Sequence, residues 1–338
     1  MIDLLVAGCG PAGAGTAIRA ARAGLSVVVA EPRTTPIDKA CGEGIAHSAV
    51  AYLTRLGVHL TGRPFRGIRY LDGAHQVDAR FRAGPGLGVR RTTLQAALTD
   101  RLAELGVEVL QARVGPITQN ATSVTAAGIT ARYLAAADGL HSPIRRQLSL
   151  CRPATGDVRR GLRQHFSVAP WTDLVEVYWS RLGEAYVTPV ADDLVGVAIL
   201  TSARGTFDSH LNAFPALKRR LDGARPAGTV MGAGPLRQRV RGRVAGRVLL
   251  VGDAAGYVDA LTGEGIAVAL RTSAELVDCV LTDRPEDYEA AWRRVSWECR
   301  LLTGSLLWAR NRSLLAPRIV PAAALLPGVY AKIVNRLS

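Results

Sequence analysis

The sequence predicts an α/β fold with an inserted antiparallel sheet and a helical carboxyl-terminal segment. Apolar strands alternate with helical patterns at the amino terminus and between about residues 88 and 151, and this pattern resumes from Leu249. Short strands separated by turns occupy the region between about residues 152 and 236, and the residues after Tyr288 have a helical pattern. The chain of 338 residues, 48% of them hydrophobic, is long enough to bury the core of such a fold.

The amino-terminal segment predicts a βαβ unit with a nucleotide-binding turn. An apolar strand (Ile2–Ala7), an alanine-rich helix (Pro11–Ala23) ended by Gly24, and a second strand (Leu25–Ala30) follow one another. The turn between the first strand and the helix reads Gly8-Cys9-Gly10-Pro11-Ala12-Gly13, which fits the pattern GxGxxG.

Each position of this pattern has a physical reason. Gly8 permits the tight turn, Gly10 lets the backbone approach a pyrophosphate, and Gly13 lets helix and strand pack closely. Pro11 lies in the first helical turn, where its missing N–H costs nothing, and the helix start presents free N–H groups to a diphosphate. Glu31, at the end of the second strand, is placed to accept hydrogen bonds from adenosine ribose hydroxyls. The sequence therefore predicts dinucleotide binding.

The other predicted elements divide the chain into three parts. They are a helix at Thr92–Leu105, strands at Val107–Leu110, Tyr133–Ala137, Leu174–Trp179, Ala185–Val190 and Leu194–Leu200, and a hairpin at Gly67–Phe81 with Asp72-Gly73 at its turn. We predict a discontinuous dinucleotide-binding domain at 1–66, 82–151 and 236–287, a substrate-binding sheet at 67–81 and 152–235, and a helical segment at 288–338.

A second glycine-rich junction, RVLLVGDAAGYVDALTGEGIAVAL, extends from Arg247 to Leu270. A flavin dinucleotide must be bound along its whole length, and this junction suits its far end. Asp253 is placed for a ribityl hydroxyl, and a helix starting near Gly263 directs its positive end at the flavin N1 and C2 carbonyl. The alternative is an ordinary strand and a helix capped by Thr262, which leaves the glycines unexplained: Gly252, Gly256, Gly263 and Gly265.

Four stretches together resemble the flavoprotein monooxygenases of the para-hydroxybenzoate hydroxylase fold, and most closely the geranylgeranyl reductase family. They are GCGPAG with Glu31 and Arg33; Lys39-Ala40-Cys41-Gly42-Glu43-Gly44-Ile45; Ala137-Asp138-Gly139 with Ser142 and Arg145; and Gly252-Asp253-Ala254-Ala255-Gly256 with Thr262-Gly263-Glu264-Gly265-Ile266. Arg91 fits the arginine that lies near FAD in this group. The resemblance implies a Rossmann-type FAD-binding domain, and an inserted sheet that covers the flavin ring.

The resemblance also implies FAD as bound cofactor and NAD(P)H as visiting electron donor. The predicted cofactor-binding residues are Gly8, Gly10, Pro11, Ala12, Gly13, Glu31, Arg33, Cys41, Gly42, Arg91, Asp138, Gly139, Gly252, Asp253, Gly263, Gly265 and Ile266. Asp138-Gly139 is expected to touch FAD and nicotinamide phosphates. From local pattern alone, Asp138-Gly139 is a turn, and Arg145 and Arg146 belong to a solvated helix face.

The sequence departs from the geranylgeranyl reductase pattern at two places. The loop Cys41-Gly42-Glu43-Gly44 has Glu43 where the family has glycine, and the family's Tyr-x-Trp-x-Phe-Pro strand is replaced by Ala185-Tyr186-Val187-Thr188-Pro189-Val190. Cys41 and Tyr186 are the catalytic candidates. Cys41 is a proton donor for ene reduction or, equally, a small buried residue.

Two reactions of the reduced flavin therefore remain open. One is hydroxylation, in which flavin C4a binds O2 inside a dry pocket, and the other is reduction of a carbon–carbon double bond. We expect an apolar substrate such as a polyketide, quinone or isoprenoid.

Composition limits the other classes of protein. The net charge of +14 suggests a flavin-containing protein that modifies nucleic acid, but the basic residues, all arginine except Lys39, Lys218 and Lys332, are spread along the chain. A dinucleotide-binding sensor without turnover is the second alternative. Scattered cysteines and histidines predict no metal site.

We expect a cytoplasmic protein because the sequence shows no secretion signal or spanning segment. The apolar, arginine-flanked segment after Trp308 is interpreted either as helices packed on the domain or as a peripheral membrane contact.

Overall fold

A computed structural model describes residues 1–153, 155–156 and 158–337. Residues 154 and 157, within the predicted 152–235 segment, and residue 338, at the end of the predicted 288–338 segment, lie outside the described residues. The strands are β1 (Ile2–Ala7), β2 (Val27–Ala30), β3 (Gly44–Ile45), β4 (Arg63–Phe65), β5 (Gly67–Leu71), β6 (Gln76–Arg80), β7 (Gly86–Gly88), β8 (Glu108–Leu110), β9 (Thr118–Gln119), β10 (Val124–Ala126), β11 (Ile129–Ala136), β12 (Cys151–Arg152), β13 (Arg160–Ser167), β14 (Val175–Ser180), β15 (Gly183–Ala191), β16 (Leu194–Thr201), β17 (Arg225–Ala233), β18 (Arg239–Val240), β19 (Val244–Ala245) and β20 (Val248–Leu250).

Helices connect many of the strands and form the carboxyl-terminal part of the chain. They are α1 (Pro11–Arg22), α2 (His47–Arg55), α3 (Arg91–Glu104), α4 (Pro143–Gln147), α5 (Phe207–Leu211), α6 (Pro215–Arg220), α7 (Gly265–Leu281), α8 (Tyr288–Arg310), α9 (Ile319–Leu325) and α10 (Pro327–Leu337). Short 3₁₀ turns lie at Gly252–Ala255, Pro285–Asp287 and Ala316–Arg318.

The central sheet has the strand order β19-β20-β11-β1-β2-β8, with β10 and β9 continuing beside β11. Strand β1 pairs in parallel with both β2 and β11, and β20 pairs in parallel with β11. Leu4, Leu5 and Val6 of β1 are fully buried, as expected for a parallel strand covered by helices on both faces. Helices α1 and α7 pack against each other beside this sheet. The predicted α/β fold is confirmed.

A second sheet, here called the substrate sheet, has the order β17-β13-β16-β15-β14-β5-β6. Its neighbours pair antiparallel except for β14 and β5, which run parallel. The predicted hairpin is present as β5 and β6, and the Asp72 carboxylate at its turn accepts the N–H groups of Ala74 and His75. Residues 67–71 and 76–80 thus join strands from the 160–233 region in one sheet. The domain boundaries themselves stay a prediction.

The carboxyl-terminal segment is helical, as the sequence predicts. Helix α8 packs on α7, while α9 and α10 pack on β6 of the substrate sheet. Tyr330 and Val334 of α10 are buried against Val77 and Ala79. Across the described ranges, no helix is both long enough and apolar enough to cross a membrane.

The start of α7 differs from the alternative in which Thr262 caps the helix. The helix begins at Gly265, and Glu264 stands at its N-cap without a capping hydrogen bond from its side chain. The Thr262 hydroxyl lies 2.7 Å from the hydroxyl of Thr303 on α8 instead. Because α8 supplies this partner, the local capping pattern is overridden by a tertiary contact.

Candidate flavin site

The first glycine-rich turn is closely packed against the strands that flank it. Gly8 has a φ of +101°, which an L side chain rarely adopts. A Cβ atom at Gly13 would lie 1.8 Å from the Gly8 carbonyl oxygen, and one at Gly8 would lie 2.6 Å from the carbonyl oxygen of Ala137. These two glycines are therefore required by the fold itself. At Gly10 the nearest atom to an added Cβ is a side-chain nitrogen of Arg91, 3.8 Å away, so space is open there.

The start of α1 combines free N–H groups with a buried positive charge. Its N-cap, Gly10, offers no side-chain cap, and its first turn contains no acidic residue. The Arg91 guanidinium is buried, and this burial lowers the pKa of Arg91. Its hydrogen bond goes to the neutral Gln95 amide at 3.4 Å. A helix start facing a buried arginine of this kind suits the anionic diphosphate of a dinucleotide.

Glu31 lies at the end of β2, as predicted, and its carboxylate already has partners. It accepts the Cys9 N–H at 2.9 Å and two side-chain nitrogens of Arg33 at 2.8 and 3.2 Å. Burial raises the pKa of Glu31, but the hydrogen bonds from Arg33 and Cys9 outweigh this and hold the pKa below its ordinary value. Glu31 also accepts the Arg33 backbone N–H at 3.0 Å, so each of its oxygens already accepts two hydrogen bonds, and a ribose hydroxyl would have to share or replace one of them.

The second glycine-rich junction touches the first one. A Cβ at Gly252 would lie 2.6 Å from the Cβ of Ala12 in the first turn of α1. The Ser273 hydroxyl on α7 donates to the Ala12 carbonyl at 3.0 Å. Asp253 follows Gly252 directly, and its carboxylate pairs with Lys39 at 3.1 Å. The structure thus brings together the two junctions, which are more than two hundred residues apart in sequence.

Asp138 and Gly139 follow β11 at the same edge of the sheet. Asp138 Oδ2 accepts the Ile144 N–H at 3.0 Å, whereas Oδ1 is buried and has no hydrogen-bond partner within the described residues. Burial raises the pKa of Asp138. A buried carboxylate oxygen without a partner needs a hydrogen-bond donor. A hydroxyl group of a ligand bound beside Gly139 would supply one.

Arg145 corrects the interpretation of this segment as a solvated helix face. Its guanidinium is buried and donates to the carbonyl groups of Leu140 and Ala254 at 2.8 and 2.9 Å. Arg146, by contrast, is exposed as that interpretation expects. Arg145 therefore ties the turn after β11 to the second junction.

Several predicted site glycines border open space. No atom lies within 4 Å of a Cβ built at Gly42, Gly139 or Gly263, and at Gly265 the nearest atom is a ring carbon of Tyr257 at 3.6 Å. Pro11 and Ala12 lie in the first turn of α1, and Gly265 and Ile266 lie in the first turn of α7. Open space therefore remains beside glycines of the Cys41 loop, of the turn after β11 and of the second junction.

The Cys41 loop, residues 41–44, lies between this edge and the substrate sheet. The Cys41 sulfur accepts the Glu43 N–H at 3.4 Å. Burial raises the pKa of the Cys41 thiol above its ordinary value, and the Glu43 carboxylate adds to this effect while Arg91 opposes it. The loop therefore presents a neutral thiol at pH 7.

Glu43 is buried and its backbone is left-handed, with a φ of +59°. Oε1 accepts the Arg91 N–H at 2.8 Å, and Oε2 lies 2.6 Å from His165 Nε2 on β13. His165 Nδ1 lies 2.9 Å from an Arg163 guanidinium nitrogen, and Arg163 also pairs with Asp38 at 2.5 Å. Glu43 thus connects the FAD-binding edge to the substrate sheet.

Tyr186 and Thr188 of β15 point to the two sides of the site. The Tyr186 hydroxyl donates to the Leu261 carbonyl at 2.8 Å, and burial raises the pKa of Tyr186 well above its ordinary value. The Thr188 hydroxyl donates to the Gly42 carbonyl at 2.7 Å. Thr188 stands two residues after Tyr186, where the resembled strand carries tryptophan.

A buried charge network also joins the substrate sheet to the second junction and to α8. We call it the Arg159 network, and its members are Arg159, Glu184, Asp259 and Arg310. Arg159 pairs with Glu184 at 2.6 Å and with Asp259 at 3.0 Å, and Arg310 pairs with Glu184 at 2.6 Å. Burial raises the pKa of Asp259, and the Arg159 charge opposes that rise.

The sequence did not point to several of these residues. His165, Arg163, Thr188 and the Arg159 network carry no motif, and their partners lie far away along the chain. One signal was available for His165: a glutamate at a glycine position needs a buried partner. The sequence offers no way to tell which histidine supplies it.

The assignment of individual residues to the flavin dinucleotide stays a prediction, and comparison with known proteins supports FAD binding by the chain. A family model described as "FAD binding domain" matches residues 1–191. A menaquinone reductase from Mycobacterium tuberculosis is 31% identical over 314 residues, covering 82% of this chain and 76% of that protein. A digeranylgeranylglycerophospholipid reductase from Methanococcus aeolicus is 24% identical, covering 79% of this chain and 73% of that protein.

Solved structures show the same fold. The flavin-dependent brominase Bmp2 superposes with a TM-score of 0.84 at 17% identity, covering 99% of this chain and 93% of that chain. The flavin-dependent halogenase CmlS gives a TM-score of 0.79 at 19% identity, covering 88% of this chain and 62% of that one. The protein is an FAD-dependent oxidoreductase. It belongs to the FAD-binding flavoprotein family that includes the reductases above, within the geranylgeranyl reductase and para-hydroxybenzoate hydroxylase-like superfamily.

Proposed function

We propose that this enzyme uses NAD(P)H to reduce a carbon–carbon double bond in an apolar isoprenoid chain, such as the side chain of a prenylated quinone. The observation that carries the proposal is the position of the Cys41 thiol, in a loop that lies between the two glycine-rich junctions and the substrate sheet. The names of the reductase relatives support the same substrate class.

FAD, when bound, would supply the redox chemistry, with NAD(P)H as the electron donor. The chain supplies the proton that balances the reaction. Hydride adds to one carbon of the double bond, and the Cys41 thiol gives its proton to the other carbon, leaving a thiolate that water reprotonates. Tyr186 and Thr188 hold β15 against the loops on either side, which keeps the substrate sheet over the reacting groups.

The test is turnover with FAD, NADPH and menaquinone under anaerobic conditions, followed by mass spectrometry. We expect a product that has gained two hydrogen atoms. A product that gains an oxygen atom when O2 is admitted, with none that gains hydrogen, would replace this proposal by hydroxylation. Absence of substrate-stimulated NADPH oxidation with a panel of prenylated quinones and lipids would also overturn it.

The role of Cys41 is tested separately with Cys41→Ser. We expect flavin reduction by NADPH to keep its rate while product formation slows at least tenfold, since a hydroxyl is a far weaker acid than a thiol. Cys279→Ser, a change at a buried cysteine of α7, is the matched control and should alter neither rate. Equal product formation by Cys41→Ser would remove the residue from the mechanism.

We further propose that the carboxyl-terminal helices contact an anionic membrane surface, where such a substrate resides. Large apolar side chains are exposed there beside basic ones, and the set comprises Trp297, Leu301, Trp308, Leu314, Leu325, Leu326, Val329 and Ile333. Arg300, Arg312 and Lys332 lie among them, which suits anionic headgroups.

Sedimentation with lipid vesicles tests this contact. We expect binding to vesicles that contain phosphatidylglycerol, weaker binding to pure phosphatidylcholine, and a further loss for the double variant Trp308→Ser and Leu325→Ser. Equal and negligible sedimentation with both vesicle types would overturn it.

A further inference from the structure

We infer that Glu43, His165 and Thr188 together form a positioning device that binds the Cys41 loop to the substrate sheet and holds Cys41 as the acid. This inference rests on the proposed function of Cys41. It unites the two places at which the sequence departs from the resembled family, because Glu43 and the Thr188 bond both act on the same four-residue loop.

The hydrogen-bond geometry fixes the protonation state of His165. An arginine guanidinium only donates, so His165 Nδ1, 2.9 Å from Arg163, must be the unprotonated acceptor nitrogen. The ring proton therefore resides on Nε2, which donates to Glu43 at 2.6 Å. A protonated imidazolium would place an N–H against the Arg163 N–H groups. His165 is thus a neutral donor with one fixed tautomer.

The protonation state of Glu43 follows from its partners. Oε1 accepts the Arg91 N–H, and Oε2 accepts the His165 N–H, so both carboxylate oxygens act as acceptors. An ionised carboxylate is the form that accepts at both oxygens. Glu43 is therefore a buried anion next to Cys41, with its charge stabilised by these two donors.

This anion has a direct effect on the thiol. The charged groups that act on Cys41 are Glu43 on its own loop, Lys39 just before the loop, and Arg91 at the start of α3. Lys39 and Arg91 favour the thiolate, whereas Glu43 favours the thiol. Removal of the Glu43 charge leaves the two cations unopposed.

The cost of placing glutamate here indicates why it needs partners. A left-handed backbone is unfavourable for a non-glycine residue, and an unpaired buried carboxylate is more unfavourable still. The bonds from Arg91 and His165 offset both costs. Thr188 adds a second attachment by donating to the Gly42 carbonyl, so two side chains of the substrate sheet hold the loop.

The pH dependence of Cys41 alkylation tests the inference without reference to turnover. Iodoacetamide is applied to the flavin-free protein and to the FAD-loaded protein, and modification of the Cys41 peptide is followed by mass spectrometry. In Glu43→Gln we expect the midpoint of the pH profile to fall by about one pH unit, and the rate at pH 7.5 to rise about tenfold.

Two variants separate charge from mobility. Thr188→Val removes the bond to Gly42 without a change of charge, so we expect a faster plateau rate and an unchanged midpoint. Glu176→Gln is the matched control, because Glu176 is an equally buried glutamate of the substrate sheet whose partners are Arg69, Trp171 and Tyr178. It should leave the profile unaltered. A Glu43→Gln profile identical to that of Glu176→Gln would overturn the inference.

Nitrogen NMR of labelled histidine tests the tautomer. We expect the His165 signal to show a protonated Nε2 and an unprotonated Nδ1, as the contact with Arg163 requires. In Arg163→Met, which removes the donor to Nδ1, this single tautomer should no longer be fixed. A protonated Nδ1 in the unsubstituted protein would contradict the positioning role. If the alkylation and NMR results are as expected but no substrate is reduced, the proposed function is wrong, whereas the inferred positioning of the Cys41 loop is retained.

Discussion

The two glycine-rich junctions and the contact between the sheets are held together by different forces. At the junctions, the Gly8 carbonyl oxygen lies so close to Gly13, and the Ala12 Cβ so close to Gly252, that neither glycine leaves room for a side chain. At the substrate sheet, buried charges meet across long sequence separations, as in the Arg159 network and the Glu43–His165 pair. The junctions thus depend on glycines that have no side chain, and the contact at the substrate sheet depends on buried charged side chains.

This difference distinguishes the steric requirements of the predicted dinucleotide site from the charged contacts of the substrate sheet. A steric arrangement admits one residue type at each position, so it preserves the shape of a dinucleotide site. A buried charged contact depends instead on its individual partners, as the bonds of Glu43 with Arg91 and His165 indicate. We therefore expect substitutions in the first region to abolish folding or FAD binding, and those in the second to be graded.

The largest effect is expected at Gly13. Gly13→Ala places a methyl group 1.8 Å from the Gly8 carbonyl, so helix and strand must separate. We expect a loss of about 5 kcal/mol in the free energy of unfolding, or failure to fold, measured by chemical denaturation of the flavin-free protein.

Gly10→Ala is the matched comparison, because space is open at that position. The flavin-free protein should keep its stability while FAD affinity, measured by fluorescence quenching, falls at least tenfold. Equal stability of both variants would show that steric closeness does not define this junction.

The next effect is expected in the Arg159 network. Glu184 is fully buried and pairs with both Arg159 and Arg310. Glu184→Gln leaves those cations buried with one carboxylate fewer, and we expect the unfolding free energy to fall by about 3 kcal/mol. Glu104→Gln removes an exposed partner of Arg101 and should cost less than about 1 kcal/mol. Similar losses in the two variants would refute the contrast between buried and exposed pairs.

The same contrast governs what the sequence could predict. The βαβ unit, the GxGxxG turn and the hairpin at residues 67–81 depend on neighbouring residues, and each is found as predicted. From the sequence, Glu43 is identified only as a departure from the glycine of the resembled family. Its partner His165 lies 122 residues away, and no local periodicity encodes such a pair.

The helix start at Gly265 shows the same limit on a smaller scale. Thr262 has the residue type of an N-cap, yet its hydroxyl lies against Thr303, 41 residues away. Local capping chemistry competes there with a tertiary contact, and the contact prevails.

A third, intermediate effect concerns pH and Glu264, at the start of α7. Burial raises the pKa of Glu264 to about 7. In the unfolded chain this carboxyl has a pKa near its ordinary value of about 4.5, so the folded state binds the proton more tightly. Its contribution to stability is full below about pH 4.5 and is lost as the pH rises towards 7.

Glu264→Gln removes this titration. We expect the variant to unfold at the same temperature as the unsubstituted protein at pH 4.5, and to be more stable at pH 8 by about 2 kcal/mol. Thermal unfolding of the flavin-free protein at both values measures the difference. Glu286→Gln, at an exposed site, is the control and should show no pH-dependent difference from the unsubstituted protein. A Glu264→Gln variant that loses stability at pH 8 would show that the buried carboxylate is favourable.

The smallest effect is expected at Asp283, just after α7, where charge and backbone requirements coincide at the surface. The residue has a φ of +54°, and its carboxylate accepts hydrogen bonds from the Tyr133 hydroxyl and from Arg247. These bonds hold the pKa of Asp283 below its ordinary value, so its contribution is present above about pH 4 and is lost as the pH falls further.

Asp283→Asn keeps a residue type that tolerates the left-handed backbone, and it removes only the charge. Because the site is half-exposed, we expect a loss of less than about 1 kcal/mol at pH 7 and a smaller loss at pH 3. Asp283→Ala should lose about 1 kcal/mol more at both pH values, since alanine adopts that backbone with strain. Urea denaturation at the two pH values separates these contributions, and equal losses for the two variants at pH 3 would show that backbone strain plays no part here.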